Sequence, residues 1–417
     1  MAIPFLDRRA LLKATVSATA AALVTPALAQ ARELTIITER PNPGTRAVFA
    51  DIAAAFQKDS GATVTVNNMD HEAHKTAIRN YLVAAPPDVC MWFSGARMLP
   101  FVKRGLFEDI SDLVTREKYL PALGIAAAGV TVNGHQYGLP TAGLYWGLYY
   151  RKDVFAANGL VVPRTFDELK VFGTKAKAAG LTPFTIGTKE LWPAACWFDS
   201  FNLRINGLDK HMALMAGEVS YLDPMLKPVF DNWEELIKAD YFPPNHTSYG
   251  WQQASIFLAQ KKAGMCHLAQ MVRGTIPAEE RDQLAVAPFP EVVPGVGPYD
   301  DVSWGSIHIP TGSKNKELAK EFLAYFYRPD NFAAYLRAEG AFSPRKDVDS
   351  ADTPLLKSVF EAMRPLKGSA QFFDRDTDPD MAQIGLNGFQ EFMAAPERRG
   401  AILARMDAAR KRIFNKA

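Results

Sequence analysis

The chain has 417 residues, with 47 Lys and Arg against 45 Asp and Glu, a formal charge of +2, and 48% apolar content. That length exceeds one modest core and predicts two domains of an ordinary globular protein. The near balance of charge excludes the strongly basic surface that nucleic-acid binding requires, so no nucleic-acid partner is expected.

Residues 1–29 read as a leader. Arg8, Arg9 and Lys13 precede an apolar run over 16–24 that ends in Ala27-Leu28-Ala29. A basic start, a short apolar core and an A-x-A exit predict a secretory signal peptide. The Arg pair followed by Leu11-Leu12-Lys13 resembles a twin-arginine export signal, which passes folded proteins. The apolar run is shorter than the roughly 20 residues a spanning helix needs. No cysteine follows the cleavage region, so the expected product is soluble and periplasmic, without a lipid anchor. Against its three cations the leader carries only Asp7, so its removal leaves a formally neutral chain.

After the leader, the β-branched alternation over 33–38 predicts a strand, and 45–60 predicts an amphipathic helix closed by Gly61. Strands at 62–66 and 88–93 flank a helix at 72–84. Strands alternating with helices in this rhythm predict a parallel sheet covered on both faces, with ligands gathering outside the carboxyl ends of its strands. The rhythm restarts after 145: a strand at 181–187, helices at 192–206 and 225–239, a helix at 255–262 leading into a strand at 264–268, and a strand at 284–289. The Pro/Gly-rich stretch 290–298 predicts a surface connection. Residues 307–310 and a helix at 316–327 then return to the first lobe, and the C-terminal third, including 398–414, is helical. Cys90, Cys196 and Cys266 sit far apart among apolar neighbours; one disulfide could form in an oxidising compartment, and buried free thiols are the favoured reading.

The block 134–169 is the richest part of the chain. It runs from a Gly-turned strand end through an aromatic strand into a helix at Thr165, where Glu168 completes a capping box. It holds rings and backbone but no nucleophile, metal cluster or phosphate loop, which favours holding a small molecule over transforming one.

Several segments then fall into one pattern: Pro87-Asp88-Val89, Gly105-Leu106-Phe107-Glu108-Asp109, Gly134-His135-Gln136-Tyr137-Gly138-Leu139-Pro140, Leu148-Tyr149-Tyr150-Arg151-Lys152-Asp153-Val154-Phe155, Pro163-Arg164-Thr165-Phe166-Asp167-Glu168-Leu169, Ser313-Lys314-Asn315-Lys316-Glu317 and Pro344-Arg345-Lys346-Asp347-Val348. In series they resemble the extracellular solute-binding proteins of ABC importers, in the maltose-binding-protein-like family that mostly carries sugars. The resemblance implies a two-lobed α/β fold, each lobe a mainly parallel sheet flanked by helices, with two or three crossings between them and a ligand cleft between the lobes. The lobes would be 32–143 with 290–328, and 144–289 with 329–417. It further implies a monomer that uses no cofactor and delivers a carbohydrate to permease subunits by hinge closure.

A sugar presents hydroxyls at its edges and a C–H face, so it calls for aromatic platforms and planar polar groups. Trp92 and Phe93 end the third strand at its carboxyl edge. Tyr145 and Trp146 alternate sides at a crossing, so one should face the cleft while the other packs. Trp192 starts a helix, and Trp304 lies beside Asp301 and Ser303. Glu39 and Arg40 end the first strand, and Arg46 opens the first helix. Asp301 and Arg345 are placed to bracket hydroxyls from opposite lobes. The family commonly ends one strand in Gly-Ser/Thr-Trp; here Met271 replaces the ring and Gln270 is the available amide, while the common Tyr-Asn-Lys is Tyr150-Arg151-Lys152. These departures bear on the ligand and leave the fold intact.

Other chemistries are weaker. His71 and His74 stand at i, i+3 without the H-E-x-x-H of a metalloprotease, and read as a solvated helix face. Asp374, Asp376, Asp378 and Asp380 imitate a calcium loop, but Pro379 and Gly385 stand where it needs Gly and Glu, so a polar surface loop is expected. The competing functions are a binder of a polyamine, phosphorylated alcohol or metal chelate, and, further off, an exported enzyme.

Overall fold

The computed structural model describes residues 32–349 and 353–415; the leader expected at 1–29 lies outside them. The strands in chain order are β1 (Glu33–Thr38), β2 (Thr63–Asn68), β3 (Val89–Phe93), a small hairpin of β4 (Thr131–Val132) and β5 (His135–Gln136), β6 (Leu139–Tyr145) and β7 (Gly147–Arg151). They continue with β8 (Thr182–Thr185), β9 (Ala263–Leu268), β10 (Leu284–Ala287), β11 (Tyr299–His308) and β12 (Gly368–Ala370).

One sheet has the order β12-β11-β3-β1-β2, with β6 also on β11; the other has the order β10-β7-β9-β8. In the first, β2 and β3 flank β1 in parallel, whereas β11 runs antiparallel to both β3 and β6. In the second only β8 and β9 pair in parallel, and β7 is antiparallel to both its neighbours. The second sheet is therefore mixed and not mainly parallel. β7 enters this sheet directly from β6 of the other, with Trp146 alone between them, and runs opposite to both β9 and β10.

Each lobe has its own core. In the first, Phe49 from the helix Pro43–Ser60 meets Phe322, Phe326 and Tyr335 with ring centroids 5.9, 5.5 and 6.3 Å away. Such aromatic pairs contribute roughly 0.5–1.5 kcal/mol beyond the area they bury. In the second, Trp197 packs on Phe184, Phe242 and Phe289 over the sheet. The expected break between 328 and 329 is displaced. Phe332, Tyr335 and Leu336 of the helix Pro329–Glu339 are buried in the first core, and the chain rejoins the second lobe with the helix Pro354–Met363, packed on β10. The apolar face of Pro329–Glu339 is set by Phe49 and Phe326, partners that periodicity cannot name.

The motifs that carry the family pattern meet in space as scaffold. Asp88 accepts from Thr35 N (2.8 Å), Ser313 Oγ (2.7 Å) and Asn315 Nδ2 (3.4 Å), tying β3 to the returning loop. Lys316 pairs with Glu108 at 2.7 Å. Arg151, fully buried, pairs with Asp153 at 2.8 Å and Glu280 at 2.6 Å, so the residue standing in place of the common Asn closes a local ion pair. Thr165 caps its helix through Glu168 N at 3.2 Å, but the Glu168 carboxylate accepts from Arg164 N. The strand-like bridge between Thr165 and Glu291 leaves the reciprocal bond one residue early. Helix 193–215 contains Gly207 at φ 79°, which breaks it where the sequence pattern ended at 206. The three cysteines are buried and free.

Candidate functional site

Between the lobes lies an inner cavity of about 80 Å³, measured as space open to the centre of a water-sized sphere. The first lobe supplies Trp92 and Phe93 from the end of β3, Glu39 and Arg40 from the end of β1, and His71 and Lys75 from the helix His71–Ala84. The second supplies Trp192, Trp251, Met271, Phe372, Asp374 and Arg375. The crossings contribute Trp146 and Gly305, and Glu339 closes the rim.

Local structure explains each placement. Trp92 is fixed by Nε1 donating to Arg97 O at 3.0 Å and by Phe101 edge-on at 5.5 Å. Trp146 donates to Ser303 Oγ at 2.8 Å and stacks on Phe372 at 4.3 Å. Trp192 stands across both, and its buried indole N–H has no partner among the described residues. Rings and charged groups thus line the cavity together.

Those charges are largely paired. Arg40 contacts both carboxylate oxygens of Glu39 and lies 3.3 Å from Glu339 Oε1. Burial works against its charge, but Glu39, Tyr335 and Glu339 outweigh burial and raise its pKa. Lys75 pairs with Glu72 at 3.0 Å. Arg97 reaches across the cleft to Asp374 at 2.5 Å. Arg375 differs: its guanidinium lies 4.5 Å from the Phe93 ring centre, donates one long bond to Trp304 O (3.5 Å), and has no salt bridge among the described residues. Burial, offset in part by Asp374, lowers its pKa to about 10. His71 is held well below the usual histidine range by burial and then by Lys75, Arg40 and Arg375, so it is neutral.

Of the residues singled out from sequence, Glu39, Trp92, Phe93, Trp146 and Trp192 come together on this cavity. The other six do not line it. Arg46 is exposed on the helix Pro43–Ser60. Tyr145 points away from Trp146, as alternation requires, and its hydroxyl donates to Asp300 Oδ2 at 2.7 Å. Gln270 is buried behind the wall, accepting from Tyr145 N at 2.8 Å, while its neighbour Met271 faces the cavity. Asp301 is buried where β11 pairs with β12, and burial, reinforced by Asp376 and Asp300, pushes its carboxyl far above the usual range. Trp304 packs edge-on to Phe342 at 5.3 Å, because the register shift between Trp304 and Ser306 turns Gly305 toward the cleft. Arg345 is buried against Tyr119 and Tyr327, forking Asp347 at 2.7 and 3.0 Å.

Two groups set aside from sequence belong here. Asp374 and Arg375 are buried at the cleft, not in a polar surface loop. His71 lines the cavity edge-on to Phe93, and His74 is buried behind it with Nε2 2.9 Å from Met91 O, so neither lies on a solvated face. Trp251, Lys75 and Glu339 had no sequence signal beyond residue type.

The profile of the bacterial extracellular solute-binding protein family matches residues 42–331, and the chain belongs to that family. An uncharacterized ABC transporter extracellular-binding protein of Pyrococcus horikoshii is 25% identical over 293 residues, 68% of this chain; the match spans 64% of that relative's length. The alpha-glucosides-binding periplasmic protein AglE of Rhizobium meliloti is 21% identical over 82% of this chain and 79% of its own. Among solved structures, the bacterial solute receptor AcbH, described as having an exclusive preference for β-D-galactopyranose, superposes with a TM-score of 0.86 at 30% identity, covering 92% of this chain and 99% of its own.

Proposed function

We propose that this protein captures a sugar in the cleft between its lobes and delivers it to the permease of an ABC importer. The carrying observation is that Trp92, Phe93, Trp146, Trp192, Trp251 and Phe372 line one cavity together with Glu39, Arg40, Lys75, Glu339, Asp374 and Arg375. Flat rings suit the C–H faces of a pyranose, and the donors and acceptors suit its hydroxyls. The similarity to AcbH and AglE points the same way.

In this reading residues 1–29 are a twin-arginine leader, the mature protein works as a periplasmic monomer, and Glu39, Trp92, Phe93, Trp146 and Trp192 contact the ligand. The lobes move as bodies, 32–145 with 302–308 of β11 and the helices through Glu339 forming one and the remainder the other. Ligand touching both lobes favours the closed state by its differential affinity. Titrating tryptophan fluorescence with neutral sugars, amines and organic anions tests the reading. A saccharide-induced shift that Trp146→Ala abolishes is expected; insensitivity to every saccharide overturns it.

A further inference from the structure

Behind the cleft wall, where the crossing strand meets the second lobe, acids outnumber cations. Asp199 comes from helix 193–215, Asp300 and Asp301 from the start of β11, and Asp374 and Asp376 from the short helix Phe373–Asp376. The guanidiniums nearby are engaged elsewhere. Arg204 pairs with Asp300 at 2.6 Å, Arg97 pairs with Asp374 at 2.5 Å, and Arg375 turns to Trp304 O. His211 Nε2 stands 3.9 Å from Asp199 Oδ1, too far for a hydrogen bond, and burial lowers its pKa to about 3, so it brings no charge. Cys196 and Tyr221 also face Asp199, and burial pushes both far up, so they are neutral.

That leaves Asp199 and Asp301 to each other. They are buried, at 0 and 2% exposure, and their carboxyl groups lie within hydrogen-bond reach. Asp199 Oδ1 and both oxygens of Asp301 meet no donor among the described residues. Two ionised carboxylates in contact and out of water repel, and each lacks the donors a buried anion needs. One proton between them removes both faults. It cancels one charge and turns two facing acceptors into a donor and an acceptor in a charge-assisted bond. Burial raises both groups well above the usual carboxylate range; after burial, Asp301 raises Asp199, while Asp376 and Asp300 raise Asp301. Such a pair titrates as a unit.

The place of the pair gives it a role. Asp199 Oδ2 accepts from Phe373 N at 2.7 Å, the first amide of the helix that presents Asp374 and Arg375 to the cavity. Asp301 O accepts from Trp146 N at 3.0 Å, at the crossing between the lobes. A bond between the two carboxyls thus joins the cleft wall to the crossing.

We propose that Asp199 and Asp301 share a single proton throughout the neutral range, and that this acid–carboxylate bond positions helix Phe373–Asp376, with its cleft residues, against β11. The device is the same whichever solute the cleft takes.

The double variant Asp199→Asn, Asp301→Asn keeps the shape of the pair and leaves nothing to titrate. Infrared spectra of the protein in heavy water at about pH 8, where Asp376 is ionised, should show a protonated-carboxyl C=O band that the double variant lacks. Over about pH 6 to 8 the folding equilibrium constant of the parent, relative to the double variant, should fall about tenfold per pH unit, because the native pair keeps a proton that the unfolded chain has released. Identical spectra or a ratio independent of pH overturns the shared proton. A fall of about a hundredfold per unit means two protons and overturns the single one. Asp199→Leu and the smaller Asp199→Ala break the tie to helix Phe373–Asp376, and amide exchange at Phe373 should quicken at least tenfold in whichever folds, with helix Pro43–Ser60 unchanged as the control. Asp301→Asn, which donates to Asp199 without a proton, should keep parental protection. Parental protection in the Leu or Ala variant, or its loss in Asp301→Asn, overturns the positioning role.

Discussion

Gln270 and Met271 are adjacent and face opposite ways, and much of the cleft turns on that kind of alternation. Gln270 satisfies the Tyr145 amide and the Tyr149 hydroxyl from behind the wall. Gln270→Leu should leave the Tyr145 amide unpaired, while the Tyr149 hydroxyl keeps its 2.9 Å bond to Tyr145 O, and lower stability by about 1–3 kcal/mol, read as a fall in the urea midpoint at unchanged slope. Asp376 yields a pH signature. Burial raises its carboxyl to about 6 although Gln371 N donates to it at 2.7 Å. A carboxyl raised in the folded state contributes stability that is fully present below its unfolded pKa, near 4, and is lost as pH rises toward 6. Asp376→Asn should therefore gain stability relative to the parent between pH ~4 and ~6, by on the order of 3 kcal/mol, and level off above. Urea unfolding of both proteins across that range checks it; a flat difference contradicts it. At this scale the sequence revealed residue types but not parity. The indole of Trp304 and the glycine beside it exchange sides through one register shift. A bulge of that kind leaves no mark in composition.

The helix His71–Ala84 shows how an element holds a site. Asp70 accepts from Glu72 N and Ala73 N, both at 3.0 Å, and so fixes the turn from which His71 and Lys75 reach the cavity. Asp70→Ala should cost about 1 kcal/mol of stability and weaken ligand binding through the freed first turn; thermal melts and titration together check this. Elements with strong local signals were legible: β1, β3, the capped helix Phe166–Ala178 and the break at Gly207. Elements defined by remote partners were not. The helix Trp251–Ala259 starts four residues before the apolar pattern because Glu190 accepts from Trp251 N at 3.0 Å and Gln253 from Gly250 N at 3.0 Å, and that extension brings Trp251 to the cleft. The short helix Phe373–Asp376 has no periodicity at all; Asp199 holds its first amide at 2.7 Å.

Across the whole molecule, the Arg97–Asp374 pair joins the lobes at the cavity's edge. Removing Arg97 leaves a mostly buried carboxylate without its partner in the closed arrangement, a loss that parting the lobes relieves by hydration. Arg97→Met should enlarge the ligand-free radius of gyration in small-angle scattering and weaken ligand binding about tenfold, since closure then costs about 1.4 kcal/mol more. Unchanged scattering and affinity would show that the pair carries no closure energy. The fold class was readable from serial motifs, because scaffold pairs such as Asp88 with Ser313 tie the returning chain to β3. The cleft was only half readable, because its walls come from segments as far apart in the chain as Glu39 and Arg375, which meet only after both sheets form.

β11 is shared by the two lobes: it pairs with β12 at its start and with β6 and β3 further along. A ribosome delivers β1, β2, β3 and β6 long before it delivers β11, with most of the second lobe emerging in between. Until residue 308 has been made, the free edge of β3 is an unpaired strand edge open to pairing with another chain. The first sheet therefore closes only after all the strands of the second have been made.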